Sequence, residues 1–397
     1  MLVVANRLPY PLDDGWKRRT FHLVKSLAER RPVTLASLHE GPPEHVRALE
    51  ELIGHGVRID TVRPFRWRGP VSVALGLVTP LPYHVWRQRS RALDALVRRI
   101  VARDTPTIGL ATLVHLFPYL RHLPADATRI VDTHNIDSLV LRRYAEAMWS
   151  GLRAAYARMT ARKLARHERD VFARADLVWV CSDEERSLLD GSSARRVEVV
   201  PNGVDAFGDF AARDVPIQPN RILFFGKLDY YPNSDGVGWF LDEIMPAIRA
   251  RRSDVEFLVV GPGANDELRA RVESTPNARL LGWVPELAEL VATAAVVVVP
   301  LRAGGGTRLK ILEALALGRP LVSTTVGAEG LDLADGQDLV LADDPVDFAD
   351  RVIALLDDPG AAGALGRAGQ SAVRARYDWS SIGGRMAEML GSDQPTT

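Results

Sequence analysis

The chain has 397 residues, 47% of them hydrophobic and 25% charged, and its formal net charge is zero. That is more than one hydrophobic core usually serves, so two domains are expected, and the composition excludes disordered and fibrous classes. The single cysteine, Cys181, excludes an internal disulfide and fits a reducing cytoplasm.

The zero balance conceals an asymmetry. Residues 1–205 hold 32 Lys and Arg against 23 Asp and Glu, whereas 206–397 hold 18 against 27. The basic excess concentrates in the helical stretches Arg87 to Arg103 and Arg153 to Arg174. A peripheral contact with an anionic inner membrane surface, or an acidic acceptor, would suit it. The purest apolar run, Ala294 to Val299, is too short to cross a bilayer, and Met1 to Ala5 has no basic region before it, so neither a spanning nor a targeting segment is expected. No motif supports a metal site or a nucleic-acid partner.

In chain order, short β-branched runs alternate with amphipathic helical stretches. The strands expected are Leu2 to Ala5, Val33 to Ser37, Ile108 to Val114, Arg129 to Asp132, Leu177 to Val180 and Val197 to Val200. The second half adds Arg221 to Phe225, Val255 to Val260, Arg279 to Leu281, Ala295 to Val299, Pro320 to Ser323 and Leu339 to Leu341. This alternation specifies α/β domains with parallel sheets. Two Rossmann-like domains are expected, 1–205 and 206–378, with a C-terminal helix at about 379–397 packing back on the first. The join is expected in a loop from Asp205 to Asn220, which carries Pro216 and Pro219. Because ligands bind beyond the carboxyl ends of parallel strands, two such domains facing each other would form a cleft.

The most informative loop runs from Leu301 to Glu313. A strand ending at Val299 leads through Gly304, Gly305 and Gly306 into a helix expected to start near Thr307. Consecutive glycines let the backbone approach an anion, and the first amides of a helix point at it with the positive end of the dipole. Arg308 and Lys310 oppose that dipole by roughly 0.3–1 kcal/mol each unless an anion lies near. Glu313, about 9 Å along the axis from that start, suits a ribose beyond a diphosphate.

These residues carry a resemblance to family 4 glycosyltransferases, the retaining type of GT-B architecture also called group 1. The stretch Gly306-Thr307-Arg308-Leu309-Lys310-Ile311-Leu312-Glu313 resembles the family's donor helix. In the same order and spacing follow the likenesses of Pro11-Leu12-Asp13-Asp14-Gly15, Asp132-Thr133-His134-Asn135, Phe225-Gly226-Lys227-Leu228, Val260-Gly261-Pro262-Gly263 and Gly282-Trp283-Val284-Pro285.

The resemblance implies a hexosyltransferase with no cofactor, the nucleotide diphosphate sugar being a substrate, UDP- or GDP-linked, and because no Asp-x-Asp motif that could hold a metal between phosphates stands out in a suitable loop, metal independence is expected. It moves the sugar, with retention, to a glycan, lipid-linked or small-molecule acceptor. It further implies that His134 sits near the transferred sugar, that Lys227 and Arg308 stabilise the departing diphosphate, and that Gly15, Gly226, Gly306, Thr307, Leu309 and Lys310 line the phosphates. Glu313 would hold the ribose and Val284 the base. Two departures stand out: Gly305 replaces a second Glu common in the family, and Asn233 replaces a basic residue. The rival readings are a non-catalytic nucleotide-sugar-binding partner subunit, a nucleotide-sugar epimerase or a phosphorylase on the same fold. An NAD enzyme is disfavoured because no third glycine follows Gly261-Pro262-Gly263 at the fingerprint spacing.

Overall fold

The structure is a computed structural model that describes residues 1–64, 70–147, 151–304 and 308–391. The chain divides into two compact units, Met1–Pro201 with Gly383–Thr397, and Asn202–Ile382.

The first unit is built on seven parallel strands in the order β3-β2-β1-β4-β5-β6-β7. These are β1 Leu2–Ala5, β2 Val33–Leu38, β3 Val57–Val62, β4 Ile108–Ala111, β5 Thr128–Asp132, β6 Leu177–Val180 and β7 Val197–Val199. Every residue of β1 and β6 is buried, which is why they read as unbroken apolar runs rather than alternating ones: helices cover both faces of a parallel sheet. Edge strand β3, with only Ile59 buried, lacks such a run and escaped the sequence reading. The run expected to continue to Val114 stops at Ala111. A 3₁₀ helix, Val114–His122, follows and turns Leu116 and Leu120 into the core. The basic stretch from Arg87 is two helices, Tyr83–Gln88 and Arg91–Asp104, and the Ser90 hydroxyl caps the second by accepting from the Leu93 amide.

The second unit repeats the plan with six parallel strands in the order β10-β9-β8-β11-β12-β13. They are β8 Gln218–Phe225, β9 Glu256–Val260, β10 Ala278–Gly282, β11 Ala294–Val299, β12 Leu321–Ser323 and β13 Val340–Leu341. The loop expected to reach Asn220 is therefore shorter, because β8 already includes Pro219. Proline cannot donate to a ladder. The sheet absorbs it in an irregularity: Ala294 aligns with Gln218 and Val296 with Ile222, so one residue of β11 faces three of β8.

The last helix, Trp379–Met389, ends against the first unit's own elements, where Arg196 and Arg31 donate to the Met389 and Gly391 carbonyls at 3.2 and 3.3 Å. In each sheet the strand order reverses once, between β1 and β4 and between β8 and β11. Neighbouring loops diverge at such a point and leave a crevice at the carboxyl ends of the strands.

Candidate functional site

In the second unit the loops at this reversal are the ones the sequence singled out. Gly226 and Lys227 follow β8, and Gly304 to Leu309 follow β11. Gly305, Gly306 and Thr307 lie outside the described residues, so the glycine-loop expectation is carried by its flanks. The helix starts at Leu309 rather than Thr307, with Arg308 at its N-cap, and runs to Ala316. Glu313 is consequently about 6 Å along the axis from the first helical residue, not about 9 Å, at 1.5 Å per residue.

Lys310 is the centre of this arrangement. Its amine lies 4.2 Å from the Phe224 ring centroid and donates a 2.7 Å hydrogen bond to Asn233 Oδ1. Burial, and then the Arg308 guanidinium, lower the amine to about 7, while Glu313 pulls the other way. Asn233 is buried, and its Nδ2 donates to the Lys227 carbonyl at 2.7 Å. The residue the sequence marked as a departure is thus a clamp, tying the loop after β8 to the helix after β11. Nothing in its local sequence signals this, because the Lys310 it binds is 77 residues away.

Glycine is required beside this cluster. Gly226 has φ +152°, and a Cβ there would stand 2.8 Å from Lys310 Nζ and 3.0 Å from Asn233 Nδ2. Arg308 is 6% exposed and packs its guanidinium against Gly304, whose φ is +128°. The Lys227 side chain is exposed at the loop, and Val284 is half-buried after β10, beside a Trp283 that is 71% exposed. Arg308 and Lys310 lie within electrostatic reach of each other on either side of a helix-start amide, and Lys227 stands exposed on the neighbouring loop at the same strand-order reversal. Chemically that is a cradle for an oligo-anion.

The first unit has its own polar centre at the end of β5. Arg19 and Asp132 are both fully buried and paired: Arg19 Nε donates to Asp132 Oδ2 at 3.0 Å and a terminal nitrogen to Oδ1 at 2.5 Å. Burial pushes the Asp132 carboxyl up, but the Arg19 guanidinium and then His134 more than offset it and hold it at about 2. His134 Nε2 stands 3.2 Å from Asp132 Oδ2, and the ring stacks on Trp16 at 6.1 Å. Asp132 thus fixes both a cation in the core and the imidazole at the surface of the strand end. Gly15 is exposed as the first residue of the helix Gly15–Ala28, which Asp14 caps by accepting from the Lys17 amide at 2.9 Å. Sequence reading missed Arg19 and Trp16. Arg19 shares the buried helix face of Leu23 and Ser26, at spacings of four and seven, and a cation on an apolar face calls for a buried anion.

Residues 219–358 match the model of the family described as glycosyl transferases group 1. The matched segment lies wholly within the second unit. A phosphatidyl-myo-inositol mannosyltransferase of Mycolicibacterium smegmatis is 34% identical over 192 residues, 46% of this chain and 48% of that protein. A GDP-mannose-dependent monoacylated alpha-(1-6)-phosphatidylinositol monomannoside mannosyltransferase of Corynebacterium glutamicum is 30% identical over 164 residues, 38% of this chain and 43% of that one. The chain spans about half the length of these curated relatives.

Among solved structures, Anabaena HepE in complex with UDP superposes with a TM-score of 0.68 at 16% identity, covering 98% of this chain and 99% of that one. TarM does so with a TM-score of 0.73 at 11% identity, covering 98% of each. The chain therefore has the GT-B type of fold, two Rossmann-like units each on a parallel sheet.

Proposed function

We propose that this group 1 chain is a hexosyltransferase whose second unit holds a UDP- or GDP-linked sugar and whose first unit receives a glycan, lipid-linked or small-molecule acceptor. The observation that carries it is the cationic cradle at the reversal of the second sheet, where Asn233 sets the Lys310 amine between the loops after β8 and β11. Two of the similar proteins point the same way by name, one using GDP-mannose and one binding UDP.

The chemistry follows from the charges. Transfer breaks the bond between the anomeric carbon and a phosphate oxygen, and negative charge grows on the leaving diphosphate. Donors fixed in advance stabilise that charge without reorganising, and removing one such donor typically costs about 10²–10³ in rate. Arg308, Lys310 and Lys227 fill that role, together with the Leu309 amide at the helix start and the loop backbone at Gly226, and the family likeness adds Gly306 and Thr307. With cations in place a metal is not called for, so turnover is expected to survive chelation. Glu313 accepts from the ribose hydroxyls and Val284 packs on the base. By the family likeness Gly15 is assigned to the donor phosphate, and His134, oriented by Asp132, to a sugar hydroxyl. Retention is assigned from the family likeness. No enzyme nucleophile is assigned, and the departing phosphate takes the acceptor's proton.

Release of nucleoside diphosphate from UDP- and GDP-hexoses, with and without chelator, tests this directly. The double variant Arg308→Gln/Lys310→Gln is expected to lose at least about 10³-fold in kcat. Full activity in that variant would overturn the assignment. The alternative of a non-catalytic binding partner, for which Gly305 in place of a carboxylate speaks, predicts tight binding and no turnover with any acceptor.

A further inference from the structure

The helix Gly151–Phe172 of the first unit carries a stripe unrelated to the strand ends. Arg158, Arg162, Ala165, Arg169 and Phe172 recur at spacings of four and three and so share one face. This face borders an open groove of about 700 Å³ that is closed on its other sides by the helix Asp137–Ala147 and the turn Leu189 to Ser192. Its floor is apolar, formed by Leu139, Ala161, Ala165, Phe172 and Leu189.

The rim is basic. Arg142, Arg158 and Arg162 are exposed and form no ion pair among the described residues, and Glu146 is the one acidic residue in the sequence from 138 to 167. Two acids line the groove: Asp190 is exposed in the turn, while Glu168 is already committed, accepting from the Ser138 amide at 3.0 Å and the Ser138 hydroxyl at 2.5 Å, with burial raising its carboxyl. Leu188, at the groove's end, is left 57% exposed.

We propose that this groove binds an anionic phospholipid, with an acyl chain on the Leu139–Phe172 floor and the phosphate on the forks of Arg142, Arg158 and Arg162. A carbohydrate would call for carboxylates and amides rather than an aliphatic floor. An unattached anion would leave that floor exposed to water, whereas a phosphate carrying a hydrocarbon satisfies both parts. The bound lipid anchors the first unit to a membrane surface. This site shares no residue with the donor cradle and does not rest on the transferase reading.

The test is sedimentation of the full chain with phosphatidylcholine vesicles, with and without phosphatidylglycerol. Binding is expected only with the anionic lipid. Since an arginine near an anionic surface contributes roughly fivefold, Arg158→Gln/Arg162→Gln should weaken it roughly 25-fold. Ala165→Trp, which fills the groove and keeps every arginine, should weaken it comparably, while Arg98→Gln/Arg99→Gln on the helix Arg91–Asp104 should bind more tightly than either groove variant. Soluble short-chain phosphatidic acid should compete, and inorganic phosphate should not. Unfolding midpoints equal to that of the parent chain establish that the variants are folded. Unchanged binding in Ala165→Trp would reduce the contact to diffuse surface charge and overturn the groove, as would equal binding to both kinds of vesicle.

Discussion

Lys310 sits at an unusual balance for a lysine. Its amine is lowered to about 7 by burial and by Arg308, and its hydrogen-bond acceptor is the neutral amide of Asn233. An anion favours the charged form, so a diphosphate bound beside it raises that value. The sign follows: below pH 7 the amine is already charged and binding takes up no proton there, whereas above pH 7 each bound diphosphate must bring one in. Affinity for UDP or GDP is therefore expected to fall as pH rises from about 7 to 9, by up to tenfold per unit. Calorimetry in buffers of different ionisation heat should show proton uptake that disappears in Lys310→Arg. A flat affinity over that range would remove Lys310 from the phosphates. The cation itself was legible in the sequence, since it opposes a helix dipole four residues after a glycine run. Its tuning was not, because Phe224 and Asn233 reach it only through the fold.

At the scale of elements, the buried pair of Arg19 and Asp132 joins the helix Gly15–Ala28 to the end of β5. Removing one partner strands a charge in the core, so Asp132→Ala is expected to destabilise the first unit by about 3–5 kcal/mol in urea unfolding. The same variant should release His134. Asp132 is held below its ordinary value, so its contribution is complete above about pH 4 and is lost as pH falls through 2. A loss under about 1 kcal/mol would show that the helix docks by its Leu23 and Leu27 face alone. Most strands were legible because parallel strands buried on both faces leave continuous apolar runs. The misses have separate causes. β3 is an edge strand with one buried residue, the stretch after Ala111 is apolar but helical, and Pro219 is tolerated in β8 only through the irregular pairing with β11.

For the whole molecule, two Rossmann-like units were legible from the repeated alternation and the strand-end motifs, and the order of those motifs carried the family. Whether residues from separate loops meet lay beyond sequence, because only the fold decides it. In the second unit they do, at the reversal between β8 and β11. The most direct check is thermal unfolding of the intact chain with UDP, GDP, their hexose conjugates and NAD, repeated with Glu313→Ala. A shift is expected for one nucleoside diphosphate and its sugars, reduced about 10–100-fold in apparent affinity by the variant, as the loss of a charged hydrogen-bond acceptor requires. No shift with any nucleoside diphosphate, or an equal shift in Glu313→Ala, would contradict a donor site on this helix.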